Sequence, residues 1–484
     1  MKIKFLSTVL LFIFLSSSLF SQTEKSGAKQ EVIRSVELHE DRLIEISDRI
    51  WALAETALEE TSSSELLASE AERQGFSVHR EIAGMPTAFI ASYGSGKPVI
   101  GILGEFDALP GLSQKAIPIK ESYEEGKPGH GCGHNLFGTG SLGAAIAVKE
   151  LLEEGKLSGT LRFYGTPAEE TIGGKIYMAR AGLFDDLDIC LDWHPNDEIE
   201  ANAQSSQAMI DFRVSFKGKA SHAAADPWNG VSAVDALELY TTGINYLREH
   251  VKPTVRIHYL IEKAGDVVNV VPENAVIWTR VRDKDREGMN LVYERIKKIA
   301  EGAALMTEAD YSIQLISGWH EILVNRTGAA VLQQNLEILG PIEYTEEEII
   351  FAKTIQSATR KPAVGLDGHI HDLKDTREDP PGGSTDVGDV SWIVPEIGLN
   401  VTSAPKDTPW HSWAVVACGG MSIGHKAMLY AAKALALTMV DLFQDDNLRN
   451  DIRNEFIERK GDYVYKAILP EGPPPVPSSI LATE

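Results

Sequence analysis

Cysteine is scarce in this chain, three residues in 484: Cys132, Cys190 and Cys418. An exported protein built on disulfides would carry many, evenly numbered cysteines, so a disulfide framework is excluded. Basic residues are also short, 46 Lys and Arg against 70 Asp and Glu, for a formal net charge of -24. Phosphate contact needs a basic face, so no nucleic-acid partner is expected, and the acidic excess reads as a solvated surface. Internal repeats are missing too. The apolar run Phe5 to Leu15 falls short of the ~20 residues that a bilayer-spanning helix needs. It follows Met1-Lys2-Ile3-Lys4 and precedes the small residues Ser16 to Ser21, the three-part layout of a secretory signal peptide. Residues 1–21 are therefore read as removed, leaving an exported protein, periplasmic or extracellular, with no membrane attachment after cleavage.

What the chain does have is 43% hydrophobic and 24% charged residues, the balance of an ordinary globular protein. Its length suits two or three domains at ~150 residues each. Cys190 and Cys418 sit in apolar runs and read as core. Cys132 is different: Gly129-His130-Gly131-Cys132-Gly133-His134-Asn135 packs a thiol and two imidazoles between glycines. Glycine lets a backbone close around a small object, and thiolate and imidazole are ligands of zinc-like cations. Leu142, Ile146, Leu151 and Leu152 follow at roughly helical spacing, so Cys132 and His134 are placed on a loop entering a helix. On its own the loop leaves a metal ligand and a core cysteine equally open.

Three strand-like runs each end in chemistry. Val99 to Leu103 leads into Gly104-Glu105-Phe106-Asp107, and Thr160 to Tyr164 into Pro167-Ala168-Glu169-Glu170. Leu187 to Leu191 leads into Asp192-Trp193-His194-Pro195, with proline expected to fix a turn. Open α/β sheets bind ligands at the carboxyl ends of their strands. Adjacent carboxylates are usually solvated surface charge. Behind a buried strand they can divide labour, one holding a cation while the other serves as general base. The convergence of Cys132/His134, Glu169/Glu170 and His194 favours a metal site over any single motif.

The flanking segments organise the rest. Val32 to Leu58 and Glu65 to Gln74 read as amphipathic helices. From Ala208 to Ile316 the order is strand, helix, strand, strand, helix, strand, the ferredoxin-like α+β signature, with His222 in its first turn. A long polar loop, Ser357 to Gly388, carries His369 and His371 and runs into Gly383-Ser384-Thr385-Asp386-Val387-Gly388-Asp389. His411 lies between Trp410 and Trp413, in a short loop before a helix from Gly420 to Phe443, and the tail from Pro470 is proline-rich.

The order Gly-Glu-Phe-Asp-Ala-Leu-Pro-Gly, Gly-Cys-Gly-His-Asn, Pro-Ala-Glu-Glu, Trp-His-Pro, Gly-Lys-Ala-Ser-His-Ala-Ala and a late Trp-His resembles the co-catalytic metallopeptidase and amidohydrolase family. That family includes aminoacylases, glutamate carboxypeptidases and auxin-conjugate amidohydrolases, and within it the likeness is greatest to the p-aminobenzoyl-glutamate hydrolases. The resemblance runs from about Val32 to about Phe443. It implies an α/β fold, a zinc-exopeptidase-like catalytic domain whose mixed sheet is flanked by helices, with an inserted ferredoxin-like lid and dimerisation domain. The implied boundaries are 31–205 and 318–465 for the catalytic domain, 206–317 for the lid and 466–484 for the tail.

Residue by residue, the resemblance implies Cys132, His134, Glu170, His194 and His411 as metal ligands and Glu169 as general base. It implies Asp107 as the carboxylate orienting a ligand imidazole, and His222 as the histidine that stabilises an oxyanion in a partner subunit's site. Asn269 and Arg282 fall where relatives contact the substrate carboxylate. Many relatives have a histidine ligand where this chain has Glu105, whose role is left open. Two divalent ions per subunit, zinc or manganese, and a small-molecule amide substrate follow. The best substrate guess is p-aminobenzoyl-glutamate or a similar N-acyl amino acid, with a dipeptidase or carboxypeptidase of the same family as the alternative. The chain would work as a homodimer or with a homologous subunit, through the lid. Two readings from other classes are a cysteine-nucleophile amidase built on Cys132 and His134, and a non-catalytic exported metal or solute carrier.

Overall fold

The computed structural model describes residues 27–374 and 382–475. The expected signal peptide, 1–21, lies outside the described residues, as do 375–381 of the long polar loop and the tail from 476.

Helix α1 (27–38) continues into α2 (Glu40–Leu53), and Val32, Val36, Leu43, Ile46 and Ile50 are buried along one stripe. The helix stops at Leu53, short of the Leu58 expected from periodicity. Ala54 turns left-handed (φ 45) and its N–H closes on the Ile50 carbonyl. After α3 (Thr61–Arg73) come β1 (Ser77–Arg80), β2 (Phe89–Ser95), β3 (Val99–Gly104), α4 (His134–Glu153), β4 (Gly159–Gly165), α5 (Gly174–Arg180), β5 (Ile189–Leu191), β6 (His194–Asn196) and β7 (Glu200–Asn202).

A second unit follows: β8 (Ala208–Lys217), α6 (Ala233–Leu247), β9 (Arg256–Ala264), β10 (Asn274–Asp283), α7 (Arg286–Thr307) and β11 (Asp310–Trp319). The chain then returns through α8 (Arg326–Leu339), α9 (Glu346–Ala358), α10 (Val387–Ser391), β12 (Glu396–Thr402), α11 (Trp413–Gly419), α12 (Ser422–Gln444) and α13 (Asp446–Lys460). Where one helix from Gly420 was expected, α11 and α12 are separate. Gly420 stands between them, packed so closely on Trp51 that a Cβ there would come within 2.6 Å of its ring.

The large sheet has eight strands in the order β1-β2-β4-β3-β5-β12-β6, with β7 on β12. It is mixed: β4, β3, β5 and β12 run parallel to their neighbours in that series, while β1/β2, β2/β4 and β7/β12 are antiparallel. β3 is buried along its whole length, as expected of a strand covered on both faces. Helices α4 and α12 pack against each other, and α4 also packs on β3 and β4. Composition alone would let α12 span a bilayer, but its residues are mostly buried in the protein core.

The second unit is a four-stranded antiparallel sheet, β11-β8-β10-β9, with α6 and α7 packed on β8 and β10. Alternation along its strands divides two faces. Ile210, Phe212, Val214, Ile277 and Val281 join the helices in a separate core, whereas the alternate residues Met209, Asp211, Arg280 and Arg282 take the opposite side. The segment after α13 is tied down: Ile468 bridges to Gly318, and the carbonyls of Pro470 and Gly472 accept from Arg180.

Candidate metal centre and active site

Strands β4, β3 and β5 lie side by side and parallel, so their carboxyl ends open on one edge of the sheet. Glu105 and Asp107 follow β3, Glu169 and Glu170 follow β4, and Asp192 and His194 follow β5. Cys132 and His134 join them from the start of α4. This is the physical reason that four stretches distant in sequence meet in one place.

Gly133 caps α4 in the left-handed region (φ 80), with Pro195 so near that a Cβ would meet its Cγ at 2.9 Å. The turn delivers His134 as the first helical residue, fully buried. Its Nδ1 donates to Asp107 Oδ1 at 2.8 Å, which directs Nε2 into the cluster. The other oxygen of Asp107 accepts the Glu170 N–H at 2.9 Å, so one carboxylate sets both groups. His130 turns elsewhere: its Nε2 donates to the Ile50 carbonyl at 3.0 Å, and burial pushes it down to about 4, leaving it neutral.

Two groups of three side chains offer ligand atoms within 4.8 Å of one another: Cys132, His134 and Glu170, and Glu105, His134 and His194. Glu105 Oε2, His134 Nε2 and Glu170 Oε1 are buried without a hydrogen-bond partner. Each such atom costs about 1–3 kcal/mol unpaired. Three of them in two groups that share His134, with thiol, imidazole and carboxylate donors, fit divalent cations.

The charges around the cluster say the same. Burial raises the Glu169 carboxyl well above its ordinary range, and the Glu105, Glu170 and Asp386 carboxylates add to it. Burial likewise pushes Glu170 up to about 7 against the lowering effect of the His134 imidazole, and the Asp107 and Glu105 carboxylates add to the rise. Glu105 goes the other way: burial alone would raise it, but the Lys175 ammonium and the imidazoles of His134 and His194 hold it well below. Burial pushes the Cys132 thiol up to about 12 despite nearby His134.

His194 opens β6, which pairs with β12, so Pro195 sits in an edge strand and makes no turn. A proline is tolerated there because an edge strand can spare an N–H. The His194 Nδ1 lies 3.4 Å from Asp192 Oδ2 and its Nε2 3.5 Å from Glu105 Oε2. His411 stands at the rim, its side chain 56% exposed and its Nε2 3.5 Å from Glu170 Oε2, in neither close group. Its backbone is left-handed (φ 55), and its N–H donates to the Gly131 carbonyl, tying this loop to the cysteine loop.

Cys132, Glu169, Glu170, His194, Arg282 and His411 all line one cavity of about 630 Å³. Arg282 reaches it from the open face of β10 and makes no ion pair among the described residues. His222 and Asn269 do not line it. Both are exposed on neighbouring loops of the second unit, joined by the Ala223 N–H donating to the Asn269 carbonyl. His222 Nδ1 accepts the Ala224 and Ala225 N–H groups, so its proton is on Nε2 and available outward. His371 pairs with Asp367, and neither it nor His369 lines the cavity.

Sequence reasoning missed three residues. Lys175 is fully buried and donates to Glu105 Oε1 and to Asp386 Oδ1, while Asp386 Oδ2 accepts the Lys175 N–H at 2.9 Å. Asp386 lies in the Gly383–Asp389 stretch that stood out in the sequence, so a signal existed for it. Glu60, also buried, accepts from Thr87 Oγ1 and from the N–H of Ala168, whose backbone is left-handed (φ 61) just before Glu169. Nothing in the sequence marked it.

The backbone behind this carboxylate pair tolerates no added atom. A Cβ on Gly174 would stand 2.0 Å from the Pro167 carbonyl oxygen. Gly174→Ala is therefore expected to cost about 1–3 kcal/mol. Denaturant unfolding measures this directly, and an unchanged midpoint would contradict it.

Residues 101–399 match peptidase family M20/M25/M40. The chain is 40% identical over 480 residues to one of the subunits of the p-aminobenzoyl-glutamate hydrolase of Escherichia coli (strain K12), covering 93% of this chain and 99% of that one. It is 29% identical over 450 residues to the Xaa-Arg dipeptidase of Mus musculus, covering 90% and 94%. Its fold is similar to that of a dinuclear metal-binding peptidase of the M20 family from Bacillus subtilis, with a TM-score of 0.57 at 18% identity over 84% of this chain and 99% of that one. The matched lengths and the site agree: the chain belongs to peptidase family M20/M25/M40 and is a metal-dependent hydrolase of amide bonds.

Proposed function

We propose that this protein is exported and cleaves the amide bond of a small N-acyl amino acid, p-aminobenzoyl-glutamate or a close analogue, with Glu169 as general base. The observation that carries the reading is the trio of unpartnered buried atoms, Glu105 Oε2, His134 Nε2 and Glu170 Oε1, in the two ligand groups that share His134, with Glu169 and Glu170 side by side on the cavity wall. Kinship to the E. coli hydrolase supports the substrate class. The N-terminal layout supports export.

Cys132, His134, Glu170, His194 and His411 would hold two divalent ions, zinc or manganese, with Asp107 orienting His134. When bound, such ions polarise an amide carbonyl and lower the pKa of water. Glu169 takes the proton of the attacking water and passes it to the leaving nitrogen. Arg282, a guanidinium in a cavity rich in carboxylates, holds the substrate's carboxylate and with it the register of the scissile bond. His222, its Nε2 proton pointing outward, donates to the oxyanion in the cavity of a second subunit, identical or homologous. Exposed Val267, Val268 and Trp228 around the His222 and Asn269 loops support an apolar contact there.

A panel of p-aminobenzoyl-glutamate, other N-acyl amino acids and dipeptides, including Xaa-Arg dipeptides, tests the substrate class. Preference for the dipeptides would overturn the assignment. Losing a hydrogen-bonded charge contact costs about 1.5–3 kcal/mol. Arg282→Met is accordingly expected to raise KM roughly 10- to 100-fold for acids and to leave the corresponding amides unaffected. An equal change for both would remove Arg282 from carboxylate recognition.

A further inference from the structure

Five residues are a small set for two ions, since a catalytic zinc alone takes about three protein ligands. We infer that Glu105 is a direct ligand of the ion nearer His194, with Lys175 and Asp386 as the residues that position it. This rests on the two-ion reading above.

The first argument is geometric. Glu105 Oε2 is 2.9 Å from His134 Nε2 and 3.5 Å from His194 Nε2, and it forms no hydrogen bond to either. His134 Nδ1 is committed to Asp107 and Glu105 Oε1 to Lys175, so Nε2 and Oε2 are the atoms left to face each other, in a group with His194 whose ligand atoms lie within 4.8 Å of one another. A divalent cation held among these three atoms would take a bond from each. Ligand atoms each ~2.0–2.2 Å from one tetrahedral ion stand roughly 3.3–3.6 Å apart; the 3.5 Å from Glu105 Oε2 to His194 Nε2 lies in that range, and the 2.9 Å to His134 Nε2 is shorter.

The second argument is the clamp. Lys175 takes only Glu105 Oε1, and it cannot swing to Oε2 because Asp386 holds both its ammonium and its backbone N–H. All three side chains are fully buried. Two carboxylates and one ammonium leave a net negative charge in the protein interior, which is costly without a further cation. Nothing else in the mechanism uses this triad.

The test uses the wild-type protein crystallised with manganese or zinc alone, read by anomalous scattering. The expected result is two peaks, one of them ~2.0–2.2 Å from Glu105 Oε2. Two peaks that both stand clear of Glu105 would overturn this inference and leave the two-ion reading intact. A single peak, or none, would overturn the two-ion reading and this inference with it. In solution, equilibrium dialysis against zinc should find two ions per chain for wild type and one for Glu105→Gln, or the second bound at least tenfold more weakly. Lys175→Met should weaken that same ion roughly 10- to 100-fold, as loss of a ligand-orienting partner does. Wild-type stoichiometry and affinity in a folded Glu105→Gln protein would contradict the assignment.

Discussion

Glu169→Gln is expected to lower kcat roughly 10²- to 10⁴-fold while metal content and KM stay close to wild type. The substitution is nearly isosteric and removes only the capacity to take up a proton. Glu169 is buried at the cavity wall, and its backbone is set from behind by the Glu60 carboxylate holding left-handed Ala168. Burial first, and then the neighbouring carboxylates of Glu105, Glu170 and Asp386, hold its carboxyl well above the ordinary range. That is an expensive place for a carboxylate with no task, and glutamine there should if anything stabilise the fold. Metal content comes from elemental analysis and kcat from initial rates. Turnover within tenfold of wild type would remove Glu169 from proton transfer.

His134→Ala is expected to have the other large effect, loss of metal binding together with loss of turnover. His134 is the one residue common to both candidate ligand groups. Its removal also frees Asp107 from the hydrogen bond through which that carboxylate aligns the site. The loss should exceed the roughly 10- to 100-fold drop in affinity that follows removal of an orienting partner alone. His130→Ala, four residues earlier and bonded to the Ile50 carbonyl, should leave metal affinity near wild type. Titration of metal-free protein with zinc separates the two variants, and equal affinities for them would contradict the site as drawn.

Much of this site was legible in the sequence because strand ends and glycine turns write strong local patterns. Cys132 and His134 stood out by residue type and spacing, and short apolar runs marked the strands that end in Glu105, Glu169 and Asp192. The six elements of the second unit were readable from periodicity, since its strands keep one face on α6 and α7. Buried charges were not readable. Lys175 and Glu60 are single charged residues in ordinary contexts, and only tertiary structure removes them from water. Glu105 was visible, but a carboxylate's task depends on which oxygen a distant lysine takes. His194-Pro195 misled in a different way, because an edge strand and a turn both accept proline. Of the two residues expected to contact the substrate carboxylate, only Arg282 lies at the cavity, placed there by alternation along β10.

Titration of metal-free protein with zinc or manganese, following bound ions and p-aminobenzoyl-glutamate hydrolysis in the same samples, tests metal-dependent hydrolysis most directly. Hydrolysis absent without metal and rising with occupancy to a plateau at two ions per chain is the predicted result. Full turnover by the metal-free protein would contradict it.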